Sequence, residues 1–301
     1  MISIIVCSRN KSIPDDLARN IEDTINVDYE IVHINNSENQ FSICSAYNEG
    51  FSRSKFQYLC FVHEDVCFRS KSWGEKIVAH LQKPNVGLLG LAGRDYLTRV
   101  PASWSAKMEG MNIVQSDKTG KKGTKTKYAP IGYDKPSREV IMLDGVLLCM
   151  RRDLMNNIKF DENLEGFHGY DFDISIQSVL AGKTNYVMYD MLLEHFSRGA
   201  PDADYYHSLI KVFKKWEKCL PLLSSNVSEN LRNKISEIEK RGIRNLSNKL
   251  VRRGVSINEI MAANIYFSRL IGVKQNQLQG YLQIYFSKLI NYPTRLFSNA
   301  K

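Results

Sequence analysis

The 301-residue chain is 43% apolar, 10% aromatic and 24% charged, fractions of a globular protein that exclude disordered and fibrous architectures. Its length allows one large or two modest domains. Lys and Arg number 41 against 32 Asp and Glu, a formal charge of +9, which favours anionic partners: phosphorylated small molecules, anionic headgroups or nucleic acid.

The opening run Ile2–Val6 predicts a strand buried on both faces. Its Met1-Ile2-Ser3 start lacks the positive region of a signal peptide. Pro14 followed by Asp15 and Asp16 marks a helix start, with acidic groups at the positive end. Glu30–Ile34 predicts a second strand ending at the turn cluster Asn35-Asn36-Ser37. Ser42 to Ser52 reads as helix. Tyr58–Val62 predicts a third strand running into His63-Glu64-Asp65, and Val86–Leu91 a fourth. This alternation argues for an open α/β sheet with right-handed crossovers.

From Leu97 to Arg138 the periodicity dissolves, and 117–127 has no apolar anchor and reads as a basic loop. Val140–Met150 is apolar, interrupted by Asp144-Gly145. Asp171 to Ala181 predicts a helix with Phe172, Ile176, Val179 and Leu180 on one side, stopped by Gly182. Thr184–Tyr189 is a strand that reaches Glu194-His195. Leu209, Val212, Phe213, Trp216 and Leu220 then form an amphipathic stripe ending before Pro221. Further stripes use Leu231, Ile235 and Ile238, then Ile257, Ile260 and Met261, then Leu278, Tyr281, Leu282 and Tyr285. A boundary is expected near 220.

No run reaches the about 20 apolar residues that cross a bilayer. The cysteines Cys7, Cys44, Cys60, Cys67, Cys149 and Cys219 contain no C-x-x-C pair. They read as small thiols in a reducing compartment, so the chain is expected to be cytoplasmic.

Open α/β sheets bind ligands at the carboxyl ends of their strands. That directs attention to Ser8-Arg9-Asn10, Asn35-Asn36-Ser37 and His63-Glu64-Asp65. Carboxylates at such an edge suit a hard divalent cation on phosphate oxygens, although an acidic turn after a strand is also commonly just solvated. Asp171 and Asp173 open a helix after Gly166-Phe167-His168-Gly169-Tyr170. They read either as partners of the helix dipole or as a general base. His195, at a strand end beside the suspected cation site, is a ligand candidate.

Taken in order, Ser3-Ile4-Ile5-Val6-Cys7-Ser8-Arg9-Asn10, Ala46-Tyr47-Asn48-Glu49-Gly50 and Phe61-Val62-His63-Glu64-Asp65-Val66 form a pattern. It continues through Leu143-Asp144-Gly145 with Arg151-Arg152, Gly169-Tyr170-Asp171-Phe172-Asp173 with Ala181-Gly182, and His195. The whole resembles the GT-A family 2 glycosyltransferases, and within them the streptomycin-biosynthesis-type domain, over residues 1–200. The resemblance implies a GT-A (Rossmann-like) open mixed sheet flanked by helices. Residues 1–220 would form the nucleotide-sugar-binding catalytic domain and 221–301 a helical C-terminal extension.

It further implies a nucleotide-diphosphate sugar donor, held by Ser8, Arg9, Asn10, Asn35, Asn48, Glu64, Asp144 and Gly145. Asp65 and His195 would hold Mn²⁺ or Mg²⁺, and Asp171 would be the base of an inverting displacement. The acceptor would be a glycan or a lipid-linked hydroxyl in bacterial polysaccharide or surface-glycan synthesis. Against the family pattern, His63 stands for the first aspartate, Asn35 for an aspartate, Tyr47 for an arginine and Tyr170 for a glutamate. Two rival functions are a sugar nucleotidyltransferase, for which Ser8-Arg9-Asn10-Lys11 is a poor phosphate loop, and a non-catalytic binding module. Basic and aromatic residues do not interleave, so no nucleic-acid partner is expected. The C-terminal helices are expected to pack on the domain, to self-associate or to lie at the inner face of the membrane.

Overall fold

Strands that are apolar almost throughout must be covered on both faces, and β1 (Ile2–Ser8), polar only at Ser3 and Ser8, and β3 (Tyr58–Val62) are used in that way. The computed structural model describes residues 1–102, 110–116, 126–127, 135–197 and 201–273. Between and after these strands the chain forms α1 (Asp15–Thr24), β2 (Tyr29–Asn35), α2 (Ile43–Arg53), β4 (Val66–Phe68), α3 (Trp73–Leu81) and β5 (Val86–Gly90). Short strands follow: β6 (Ala92–Arg94), β7 (Tyr96–Leu97), β8 (Gly110–Met111), β9 (Ile113–Gln115), β10 (Thr126–Lys127), β11 (Ser137–Val140), β12 (Met142–Leu143) and β13 (Leu147–Arg151). The remainder is α4 (Arg152–Met155), α5 (Tyr170–Leu180), β14 (Thr184–Met188), β15 (Leu193–His195), α6 (Ala203–Lys215), β16 (Leu222–Leu223), α7 (Glu229–Arg252) and α8 (Ile257–Leu270).

A seven-stranded sheet in the order β11-β14-β5-β13-β3-β1-β2 forms the frame. β1 pairs parallel with β2 and β3, whereas β13 runs antiparallel between β3 and β5. The sheet is therefore mixed, as the family resemblance implies. Alternate side chains divide between two cores. Ile4, Val6, Cys60 and Val62 face α1 and α3, where Leu17, Ile21, Trp73 and Ile77 are buried. Ile5, Leu59 and Phe61 face the opposite side with Tyr47, Phe172, Leu209 and Phe213. Ser42 caps α2 by accepting a hydrogen bond from the Ser45 amide at 3.2 Å.

The structure departs from the sequence reading at several places. β4 and α3 form where no element is expected. The apolar run 140–150 divides at its Asp144-Gly145 interruption into strands of two sheets, β12 pairing with β6 and β13 with β3. The stretch without periodicity holds β8 and β9, each secured by pairing to a distant strand rather than by a pattern of its own. The two leading stripes of the tail become one 24-residue helix, α7, and α8; Ile257, the first residue of α8, is exposed. Residues 117–125 of the expected basic loop and the stripe at Leu278–Tyr285 lie outside the described residues. All six cysteines are free thiols. No helix among the described residues is long and apolar enough to cross a membrane.

Several contacts join the chain beyond 220 to the sheet. β16 pairs antiparallel with β7. Leu246, Leu250 and Phe267 share a core cluster with Leu97 and Val100. Glu239 on α7 is fully buried and accepts from the Arg99 backbone amide at 2.9 Å and from its guanidinium at 3.0 and 2.6 Å. Replacing Glu239 with Ala leaves those donors short of partners and is expected to remove about 2 kcal/mol of stability. Urea denaturation checks this; a loss within about 0.5 kcal/mol, typical of an exposed site, would contradict a joining role for Glu239.

Candidate active site

Three consecutive residues between β3 and β4 begin the site. His63 and Asp65 face a cavity of about 450 Å³ at the carboxyl ends of the parallel strands. β15 pairs antiparallel with β4, setting His195 opposite Val66, and the Phe196 amide donates to the Asp65 carbonyl at 2.9 Å. That register brings His195 Nε2 to 3.4 Å from Asp65 Oδ1. His63 Nδ1 lies 4.0 Å from the same oxygen, and the two imidazole centroids are 5.5 Å apart. One donor atom from each of these residues falls within 4.8 Å of the others. His195 Nε2 is buried and makes no hydrogen bond.

β9 runs parallel to β15 with Gln115 opposite His195. The Gln115 side-chain amide lies 3.3 Å from His195 Nδ1. The atom so placed is the amide nitrogen, which donates to Nδ1. The same amide rotated by 180° would instead accept from Nδ1–H and leave Nε2 as a lone-pair donor. Burial, and next the neighbouring His195, push the His63 pKa below its ordinary value, which favours the neutral ring that a cation needs.

The opposite wall comes from the start of α5. Gly169 adopts φ +81°, a left-handed conformation that glycine enters without strain, and turns the chain into the helix. Asp171 therefore sits in the first turn, its Oδ1 accepting from the Phe172 amide at 3.0 Å. Burial, and then the Asp144 carboxylate, raise its pKa to about 7. Asp144 occupies the turn between β12 and β13, where its Oδ1 accepts from the Val146 amide at 3.0 Å. Next to it, Gly145 is obligatory: a Cβ there would lie 2.0 Å from the Tyr170 hydroxyl. That hydroxyl donates to the Gly145 carbonyl at 3.1 Å and lies 2.9 Å from His63 Nε2.

Glu64 points the other way and ties down the loop after β1. It accepts from Ser8 Oγ at 2.5 Å, from Asn10 Nδ2 at 2.9 Å and from the Arg9 amide at 3.5 Å. The Arg9 guanidinium stands 5.7 Å from the centre of the Phe167 ring at the cavity rim.

The structure brings Arg9, Glu64, Asp65, Asp144, Gly145, Asp171 and His195 to one cavity. Ser8 and Asn10 stand behind that wall and meet it through Glu64. Asn35 is exposed at the end of β2 and accepts from the Ser37 amide at 2.9 Å; its neighbour Asn36 is buried and lines the cavity instead. Asn48 is not brought to the site. It faces the chain before α5, donating to the Phe160 carbonyl at 2.9 Å and to Glu162 at 2.8 Å. His63, Asn36, His168 and Tyr170, which the sequence reading named in its motifs without a ligand or donor role, also line the cavity, as do Gln115 and Tyr205, which it did not name. His63 was legible from its place in His63-Glu64-Asp65, whereas Gln115 carried no signal.

The sequence profile described as the Glycosyltransferase like family matches residues 3–193. A 191-residue stretch is 25% identical to the ATP synthase subunits region ORF 6 protein of Fuscovulum blasticum, covering 62% of this chain and 70% of that protein. A 151-residue stretch is 29% identical to the streptomycin biosynthesis protein StrF of Streptomyces griseus, covering 48% of this chain and about half, 49%, of that relative. In three dimensions the chain is similar to residues 1–349 of TarS from S. aureus, with TM-score 0.54 at 14% identity over 95% of this chain and 87% of that one. The same protein in complex with UDP-GlcNAc aligns with TM-score 0.53 at 14% identity, over 90% and 81%. At such identity these two structures speak to the fold.

The environment of Asp171 has a signature in stability. A carboxyl whose folded pKa is about 7, against about 4 in an unfolded chain, binds its proton more tightly when folded. Its contribution to stability is therefore present at acid pH and is lost as pH rises from about 4 to 7. Asp171→Asn, which carries no titrating group there, should gain in Tm relative to the wild type across that window, the difference levelling off above pH 8. Thermal melts from pH 4 to 9 in EDTA measure it, and a difference constant with pH would refute the raised pKa.

Proposed function

The chain belongs to the Glycosyltransferase like family, and from that premise we propose that it is a metal-dependent, inverting glycosyltransferase. It would move a sugar from a nucleoside-diphosphate donor to a hydroxyl of a glycan or lipid-linked acceptor, in polysaccharide or surface-glycan synthesis. One observation carries the reading: a half-buried carboxyl with its pKa raised to about 7, Asp171, lines the same cavity as the His63-Asp65-His195 cluster. The complexes of TarS with UDP-GlcNAc and with UDP support a donor of that class.

The cluster fits a divalent cation. Its donors are two imidazoles and one carboxylate, and the buried Nε2 of His195 has no other hydrogen-bond partner. His63, Asp65 and His195 would hold the ion. When bound, such an ion neutralises charge on diphosphate oxygens. Two nitrogen donors favour Mn²⁺ over Mg²⁺, which prefers all-oxygen surroundings.

The remaining roles belong to the chain's own side chains. Arg9 at the rim supplies a fixed positive charge facing the donor phosphates. Asp171 accepts the proton of the acceptor hydroxyl, whose oxygen bonds to the anomeric carbon from the face opposite the diphosphate. The bond from that carbon to the diphosphate oxygen breaks, and its electron pair leaves with the nucleoside diphosphate. A pKa near 7 suits this role, because about half of the carboxyl is ionised at pH 7 and the carboxylate is basic enough to take a proton. Catalysis would reside in residues 1–220, with the later helices as an extension.

Asp171→Asn should leave donor affinity within about threefold and lower kcat by about 10²–10⁴. Transfer at the wild-type rate would remove Asp171 from the mechanism. For the wild type, kcat/KM should climb about tenfold per pH unit below 7 and flatten above it; a profile flat from pH 5 to 8 would count against a base with this pKa. Asp65→Ala should abolish the increase in donor affinity that Mn²⁺ produces in calorimetry. An undiminished Mn²⁺ effect would mean that the cation is held elsewhere.

A further inference from the structure

Tyr170 stands directly before Asp171 at the start of α5 and also borders the cavity. It is buried in a cluster of aromatic rings drawn from separate elements. Tyr47 of α2 meets it edge-on with centroids 5.7 Å apart, Phe160 lies at 6.2 Å, and Phe61 of β3 packs on both Tyr47 and Phe160. Within this largely apolar surround its hydroxyl meets the Gly145 carbonyl at 3.1 Å and His63 Nε2 at 2.9 Å, with the Tyr47 hydroxyl close by.

A phenol has one proton and a carbonyl can only accept. If the proton pointed at His63, two oxygens 3.1 Å apart would face each other lone pair to lone pair. Both contacts are favourable together in one arrangement. His63 Nε2–H donates to the phenol oxygen, and the phenol O–H donates to Gly145. The neutral imidazole then carries its proton on Nε2, so its lone pair is on Nδ1. Nδ1 is the nitrogen that lies 4.0 Å from Asp65 Oδ1, on the side where His195 Nε2 approaches the same oxygen.

The chain is shaped to hold this contact. Any side chain at 145 would displace the hydroxyl, since even a Cβ would come within 2.0 Å of it. The His63 backbone amide donates to the Val146 carbonyl at 3.2 Å, tying His63 to the same β12–β13 turn a second time.

We propose that Tyr170 is a positioning residue for the cation site: its phenol, anchored on the Gly145 carbonyl, fixes His63 in the tautomer whose Nδ1 lone pair faces Asp65 and His195, so that His63 serves as the third protein ligand. The ligand half of this inference rests on the metal reading above; the tautomer half stands on the hydrogen bonds alone. Outer-shell partners of metal-bound histidines act in this way, and their loss typically costs 10- to 100-fold in metal affinity. The first turn of α5 then carries both the base and the group that orients a ligand.

The test uses the full chain in three forms: wild type, Tyr170→Phe and Asp65→Ala. In metal-free, ¹⁵N-histidine-labelled wild type, long-range ¹⁵N–¹H spectra should report His63 as the Nε2–H tautomer. In Tyr170→Phe, which keeps the ring and loses only the hydroxyl, the two tautomers should mix. Titration with Mn²⁺ followed by electron paramagnetic resonance, without nucleotide, should show affinity 10- to 100-fold weaker in Tyr170→Phe and lost in Asp65→Ala. An Nδ1–H tautomer in the wild type overturns the proposal, and this result does not depend on any variant folding. So does wild-type Mn²⁺ affinity in Tyr170→Phe while Asp65→Ala is impaired. If Asp65→Ala binds Mn²⁺ as the wild type does, the metal reading falls and with it the ligand role of His63; the spectra still decide whether Tyr170 sets the tautomer.

Discussion

One carboxylate oxygen approached by two imidazoles is the constraint around which the site is built. Asp65 Oδ1 has His195 Nε2 at 3.4 Å and His63 Nδ1 at 4.0 Å, and the three residues come from two distant parts of the chain. Their meeting depends on strand register, because the antiparallel pairing of β15 with β4 and its parallel pairing with β9 leave His195 no other place. A slip of one residue would turn His195 to the opposite face of its strand. The short sheet β10-β9-β15-β4 therefore acts as the jig for the cluster, while the large sheet supplies the platform.

The electrostatics of the cavity are organised by separation. The chain as a whole is strongly basic, with a formal charge of +9, yet Glu64, Asp65, Asp144 and Asp171 all line this wall. Asp65 stands among the imidazoles, and Glu64 is occupied by the donors of the loop after β1. Asp171 is left with Asp144 as its like-charged neighbour and with burial, and both raise its pKa. Two carboxyls of one cavity thus acquire different tasks from their surroundings rather than from their chemistry.

The frame was legible where a single physical rule decides. β3 is apolar at every position and β1 at all but Ser3 and Ser8, and the α5 helix is bounded by Gly169 and Gly182, so these elements could be read directly. The strand-end rule likewise pointed to His63-Glu64-Asp65 and His195. What remained hidden depended on partners far away in sequence. β9 has no periodicity of its own, so Gln115 could not be placed beside His195. Asn35 and Asn36 are indistinguishable as letters; the backbone decides, because Asn35 stays in register with Ser8 on β2 while Asn36 turns inward and is sealed by hydrogen bonds of 2.9 Å to both backbone groups of Phe41. Asn48 belongs to a motif that borders the site, yet its position on α2 commits it to Phe160 and Glu162.

Glu64 has a wider consequence. Alternation along the chain sends its two neighbours toward the imidazole cluster while its own carboxylate grips Ser8, Arg9 and Asn10. The histidine–aspartate cluster and the loop after β1 are consequently one mechanical part, with a tripeptide as the rivet. A sequence change that began in that loop would strain the cluster. The rim around Asn36 and Phe167 is tied to the same part, through the Asn36 amide on the Ser8 carbonyl at 2.7 Å and the Arg9 guanidinium 5.7 Å from the Phe167 ring centre, so a change there is also felt at the cluster.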